Sequence, residues 1–275
     1  RGFVDALKER GYGPDKVEIE QENAQGDQSN LKTIVSRFKA EKPKLICAIA
    51  TPAAQAAANE IKDIPIVGTA ITDYTSAKLV QNDERPGGNV TGVSDFAAMD
   101  AQMELAAKLI PQAKHVGLIY CSSEVNSEVQ ANQMKDYCKK HGLAVEERTV
   151  NNVNDIQQVA ESLIGKVDYI YVPTDNTLAS SIPTLMKITD ANKIPVIVGA
   201  DIMAKDGALA ALSVDYYRLG KQTGELAADI LDGKVKPETS PIQHQKDYTI
   251  VINKQDAEIL GLTIPEEIAK KANMV

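Results

Sequence analysis

Five polar turns carry the side chains of this 275-residue chain that have chemistry to offer, and each directly follows an apolar run. Thr51-Pro52-Ala53-Ala54-Gln55 follows Lys44–Ala50, and Thr72 with Asp73 follows Ile64–Ala70. Glu124, Asn126 and Ser127 follow His115–Tyr120. Thr174, Asp175 and Asn176 follow Asp168–Val172, and Asp201 follows Ile194–Gly199. In open α/β sheets a ligand binds beyond the carboxyl ends of the strands, so these turns are the candidate site. Their chemistry suits a small zwitterion. Thr51 is a good N-cap and Pro52 suits the first helical position. Ala53 and Ala54 bring no bulk, which leaves backbone N–H groups open to a carboxylate; equally, Thr51 can do no more than cap its own helix. Asp175 can pair with a ligand ammonium or cap the helix behind it. The ammonium is preferred, because Asn176 and Thr177 can also cap. Glu124 and Asp201 offer that ammonium a further carboxylate, while Asp73 and Asp201 read as well as solvated loop acids.

No residue reads as catalytic. The chain has no GxGxxG after a strand, no GxxxxGK[ST], no GxSxG and no HExxH. His115, His141 and His244 are scattered over a strand start, a helix end and a connector. Cys47, Cys121 and Cys138 are odd in number and contain no CxxC, so they read as small buried hydrophobes, not as metal ligands or a disulfide framework. No cofactor, metal or enzymatic activity is therefore assigned. Thirty Lys and Arg against 38 Asp and Glu give a net charge of −8, with no basic block, which argues against a nucleic-acid partner. No run of apolar residues is long enough to span a membrane.

The elements that position these turns alternate. Apolar or alternating runs predict strands at 17–20, 44–50, 64–70, 89–93, 115–120, 144–149, 168–172, 194–199, 208–214 and 248–252. Helical periodicity predicts helices from the chain start, with Phe3, Val4 and Leu7 on one side, and over 27–39, 51–61, 102–110, 124–141, 154–165, 178–192, 216–232 and 255–260. Asp27 caps the second of these, and Leu31, Ile34, Val35 and Phe38 line it. Repeated β-α-β-α units imply parallel sheets with helices on both faces. One unit repeats: Lys44–Gln55 leads through a helix to Ile64-Pro65-Ile66-Val67, and Asp168–Thr177 leads through a longer one to Ile194-Pro195-Val196-Ile197. Such a repeat predicts two similar lobes. The chain opens in a helix, and an alternating pattern places a first strand, with a signal segment, before residue 1.

The chain resembles the substrate-binding proteins of ABC importers with a type I periplasmic-binding fold. Within them it is similar to the group associated with tryptophan and other aromatic amino acids. The resemblance rests on Thr51–Gln55, Ile64–Val67 through Thr72-Asp73, Pro86-Gly87-Gly88-Asn89 through Asp95, Glu124–Ser127, Val172–Thr177, Val214–Gly220 and Leu260–Pro265, in order along nearly the whole chain. It implies two doubly wound parallel-sheet lobes joined by a three-crossing hinge near 92–96, 212–215 and 243–248. The lobes are then 1–94 with 214–243, and 95–213 with 244–275. It further implies a ligand held between the lobes, closure around it, and delivery to a membrane permease by a monomeric receptor outside the cytoplasm, in the periplasm or lipid-anchored. The site residues are then Thr51, Ala53, Ala54, Gln55, Thr72, Asp73, Glu124, Asn126, Ser127, Thr174, Asp175, Asn176 and Asp201. An aromatic side chain on the ligand follows from the family likeness. The alternatives are the ligand-sensing half of a transcription regulator, and an enzyme on the same fold.

Overall fold

Apolar runs become strands only where a neighbour supplies the ladder. The computed structural model, which describes residues 1–275, gathers them into a four-stranded and a seven-stranded sheet. The chain forms two units, residues 1–96 with 215–246 and residues 97–214 with 247–275, and so passes between them after Phe96, Val214 and Lys246. Its first passage runs α1 (Gly2–Glu9), α2 (Gln28–Glu41), β1 (Ile46–Ile49), α3 (Thr51–Glu60), β2 (Ile66–Ile71) and β3 (Val90–Ser94). The second runs α4 (Met99–Leu109), β4 (His115–Cys121), α5 (Val125–His141), β5 (Ala144–Val150), α6 (Ile156–Glu161), β6 (Tyr169–Val172), α7 (Asn176–Ala179), α8 (Ile182–Ala191), β7 (Val196–Val198), α9 (Asp201–Lys205) and β8 (Ala210–Ser213). The third adds α10 (Tyr216–Leu231) and β9 (Gln243–His244). The last adds β10 (Thr249–Ile252), α11 (Lys254–Leu260), α12 (Glu266–Ala269) and β11 (Asn273–Met274).

In the first unit the sheet order is β1-β2-β3-β9, all parallel. Successive β2 residues face opposite ways, as a strand dictates. Ile66 joins Leu31, Val35, Ala54, Ala57 and Ile61 under α2 and α3, while Val67 joins Leu7, Leu226 and Ala227 under α1 and α10. Helices thus cover both faces. α1 and α10 approach closely because glycines meet there: a Cβ on Gly224 would stand 2.5 Å from the Phe3 carbonyl oxygen. The Asp27 side chain accepts from the Asn30 N–H, so it caps α2 as the sequence indicates.

The second unit has the order β11-β10-β8-β7-β6-β4-β5, parallel except where β10 runs against β8. Its core holds Met103, Leu118, Met134, Tyr171 and Ile197, each of which contributes ~1.5–3 kcal/mol by leaving water. Tyr171 is wholly buried, and its hydroxyl donates to Gln102 Oε1 of α4 at 2.6 Å, so no polar group is orphaned there.

Four sequence expectations differ from the structure. Val17–Glu20 is not a strand; neither edge of the first sheet pairs with it, and Ile19 is exposed. The helix expected over 154–165 is a 3-10 turn (Val153–Asp155) followed by α6, and Ile164, beyond its end, is exposed. The helix expected over 178–192 is two, α7 and α8, because Pro183 in the first turn of α8 forces a new start. Thr51 is not an N-cap: Ala50 takes that place, and no side chain caps α3.

Candidate functional site

In the first unit the candidate residues stand at consecutive strand ends: Thr51 after β1, Thr72 after β2, and Asp95 after β3. Ala50 turns the chain from β1 into α3 with φ 75° and ψ 154°, and Ala70 near the end of β2 has φ 55°. Non-glycine residues held in such conformations cost ~1–3 kcal/mol each, and they cluster at functional sites. The Ala50 N–H donates to the Thr69 carbonyl at 3.0 Å, which ties the turn to β2. Within α3, Pro52 has no N–H and the Ala54 N–H donates to the Ala50 carbonyl at 3.1 Å. The Thr51 and Ala53 N–H groups lie in the first turn, where a helix has no internal acceptor. Ala54 itself lies in the core, so it brings neither amide nor side chain to a ligand. Gln55 Nε2 donates to the Ala77 carbonyl at 3.1 Å. The Thr51 hydroxyl is buried and has no hydrogen-bond partner.

Asp95 is 4% exposed. The Thr72 hydroxyl donates to its Oδ1 at 3.2 Å, and the Tyr216 hydroxyl, from the first turn of α10, donates to its Oδ2 at 2.9 Å. Burial pushes the Asp95 carboxyl above the usual range, against the pull of these two hydroxyls. Asp73 does not join this row; its Oδ1 accepts from the Ser76 N–H at 2.8 Å and closes a local turn.

In the second unit a polar network joins the carboxyl ends of β4, β6 and β7. Asp175 accepts from the Leu178 N–H at 2.8 Å through Oδ1, which makes it the N-cap of α7. Its Oδ2 accepts from the Cys121 N–H and the Ser127 hydroxyl, both at 2.7 Å. The capping alternative is thus realised at Asp175. Glu124 Oε1 accepts from the Thr177 N–H and hydroxyl at 2.9 and 2.8 Å. Its Oε2 accepts from the Asn176 N–H and Nδ2 and from Asn126 Nδ2, at 3.0, 2.7 and 3.0 Å. Asn126 and Gln130, one turn apart on α5, clamp Thr174. Asn126 Nδ2 donates to the Thr174 carbonyl at 2.9 Å, and the Thr174 N–H donates to Gln130 Oε1 at 2.6 Å. The Thr174 hydroxyl reaches the Gly199 carbonyl at 3.3 Å, at the end of β7. Asn126 Oδ1 and Gln130 Nε2 are buried without partners. Burial first, then the charge of Glu124, push Asp175 up to about 6, against its own donors. Asp201 stands apart, at the start of α9, in an ion pair with Lys205.

The structure thus brings Glu124, Asn126, Ser127, Thr174, Asp175 and Asn176 into one cluster, and Thr51 and Thr72 into one row. Sequence reasoning missed Asp95, Tyr216 and Gln130. The strand-end rule applied to β3 would have found Asp95, and helical spacing from Asn126 would have found Gln130. No group of three or more His, Cys, Asp or Glu side chains is placed to hold a metal ion, and no helix is long and apolar enough to cross a membrane.

Two doubly wound units, each with preformed polar groups at its strand ends, define a ligand-binding protein of the type I periplasmic-binding class. The family model for ABC transporter substrate binding proteins matches residues 1–275, and the chain belongs to that family. A tyrosine-binding protein of Clostridioides difficile is 42% identical over 263 residues, covering 95% of this chain and 76% of that one. A Streptococcus pneumoniae ABC domain, solved in complex with L-Trp, is 41% identical with a TM-score of 0.96, over 100% of this chain and 92% of the other. A leucine-binding protein of Thermotoga maritima shares only the fold, at 15% identity and a TM-score of 0.62, over 84% of this chain and 77% of that one. The family role is that of a solute receptor for an importer, which favours the receptor over the regulator reading.

Proposed function

We propose that this chain captures an aromatic L-amino acid outside the cytoplasmic membrane and delivers it to an ABC importer's permease, acting as a monomer. The observation that carries the reading is the placement of unpartnered polar atoms. Of seven buried side-chain oxygen and nitrogen atoms with no hydrogen-bond partner, three lie at the candidate strand ends: Thr51 Oγ1, Asn126 Oδ1 and Gln130 Nε2. A buried polar group left unpaired costs ~1–3 kcal/mol, and a bound ligand with donors and acceptors of its own relieves that cost. The amino end of α3 suits the ligand's carboxylate. In the first unit Thr72 supplies a further polar contact; in the second, Asn126 and Gln130 keep polar atoms unpaired, and Glu124, Ser127, Thr174, Asp175 and Asn176 hold them rigid. Aromatic specificity draws its support from two relatives above 40% identity, one a tyrosine-binding protein and one holding L-Trp.

Native mass spectrometry of the chain purified without denaturation tests the reading. The expected result is a population heavier by the mass of tyrosine, phenylalanine or tryptophan, which exchanges when another aromatic amino acid is added. An adduct with the mass of a sugar, undisplaced by any amino acid, would overturn it.

A further inference from the structure

We infer that Asp95, a residue of the first unit, receives the ligand's ammonium group; this rests on the amino-acid reading above. Three buried carboxylates stand at strand ends, Asp95, Glu124 and Asp175, and none of them takes part in an ion pair with Lys, Arg or His. They differ in how far their lone pairs are already used. Glu124 accepts five hydrogen bonds within its cluster, and Asp175 three, two of them from backbone N–H groups that cannot turn away. A carboxylate offers about four acceptor sites. Asp95 is approached by two hydroxyls, Thr72 and Tyr216. Hydroxyls rotate and accept as well as donate, so both can turn to share an arriving ammonium. A buried carboxylate without a cation is costly, and a ligand cation would compensate it.

The spacing agrees. Thr51, Thr72 and Asp95 close β1, β2 and β3, which are neighbours in the sheet. Adjacent strands lie ~4.8 Å apart, so the first and third ends are ~10 Å apart. A carboxylate accepting from an α3 amide, followed by an ammonium donating to a carboxylate, spans about 9 Å with ordinary hydrogen-bond lengths. One α-amino acid therefore lies along these strand ends with its carboxylate at Thr51–Ala53, its ammonium at Asp95 and the Thr72 hydroxyl beside it. Asp175, the ammonium partner expected from the sequence, serves in this arrangement as cap and brace.

Calorimetry of the refolded, ligand-free full chain with L-phenylalanine and with 3-phenylpropionate, which lacks only the ammonium, tests the assignment. The native chain is expected to prefer L-phenylalanine strongly. Asp95→Asn, checked for native circular dichroism, is expected to lose at least tenfold in affinity for L-phenylalanine while its affinity for 3-phenylpropionate holds or rises. An Asp95→Asn protein that keeps the native preference would overturn the inference. Should that variant not fold, carbon-13 NMR of the native chain labelled at aspartate carboxyls decides. The Asp95 resonance is expected to move with L-phenylalanine and not with 3-phenylpropionate, and movement at Asp175 with none at Asp95 would overturn it. A native chain that binds none of the aromatic amino acids sinks the functional reading itself, a result distinct from a native chain that binds them without help from Asp95.

Discussion

Replacing Asp256 by asparagine should stabilise the second unit, and only at high pH. Asp256 lies in the first turn of α11, 3% exposed, where that helix packs against α8. Neither of its carboxyl oxygens, nor Oδ1 of Asp190 in α8, finds a donor elsewhere. The two acids can bond each other only through a shared proton. Burial first, then the charge of Asp190, push Asp256 up to about 7. A carboxyl raised from 3.8 to about 7 is held neutral by the fold. Its stabilising contribution is complete below pH ~4 and is lost as pH rises through ~7. That distance corresponds to about 4 kcal/mol at pH 8. Solvent reaches the half-buried Asp190 and screens the pair, so ~2–3 kcal/mol is expected. Asparagine is neutral at every pH, and its Nδ2 can donate to Asp190. Urea denaturation at pH 4.5 and 8 should therefore show Asp256→Asn within ~1 kcal/mol of the native chain at the lower pH and ~2–3 kcal/mol more stable at the higher. An equal gain at both pH values, or a loss at pH 8, would refute the shared proton.

Thr51→Val removes a buried hydroxyl with no partner, so the ligand-free chain should gain ~1 kcal/mol in denaturation while losing affinity for aromatic amino acids; a loss of stability would place a structural partner there. Asp175→Ala deletes the α7 cap and strands the Cys121 N–H and Ser127 hydroxyl, which should cost ~2–4 kcal/mol by urea titration, and an unchanged midpoint would contradict the network. Gly92→Ala would set a Cβ 2.1 Å from the Gly68 carbonyl oxygen, where β2 and β3 pair; a loss of ~3 kcal/mol or more is expected, and native-like hydrogen-exchange protection in the first unit would show that the sheet can yield.

Much of the fold is legible because the elements state their own physics. The runs at β1, β2, β4, β6 and β7 are continuously apolar, as strands covered on both faces must be. α2 announces itself through Asp27 and the spacing of Leu31 and Val35. What fails to show depends on partners or on backbone. Alternation in Val17–Glu20 says which way side chains would face, not whether an edge waits for them. The reversal of β10 against β8 is a matter of topology. Nothing in the letter Ala50 discloses φ 75°, and that one residue moves the helix start and makes Thr51 a first-turn residue instead of a cap. At the site, residue type marked Asp175 as an acid with something to bind, but could not say that its lone pairs are taken up by Leu178, Cys121 and Ser127. Asp95 escaped notice because the segment around it read as a passage between lobes.

The central claim, that the strand ends of this chain hold an aromatic amino acid, is tested most directly by calorimetry. The chain is unfolded, dialysed free of ligand, refolded, and titrated with each common L-amino acid and a panel of sugars. Binding at micromolar concentration or tighter to at least one of L-tyrosine, L-phenylalanine and L-tryptophan is predicted, with aliphatic amino acids at least tenfold weaker and sugars giving no heat, where tenfold is about 1.4 kcal/mol. Tighter binding of a sugar or an aliphatic amino acid, with no heat from the three aromatic ones, would contradict the account.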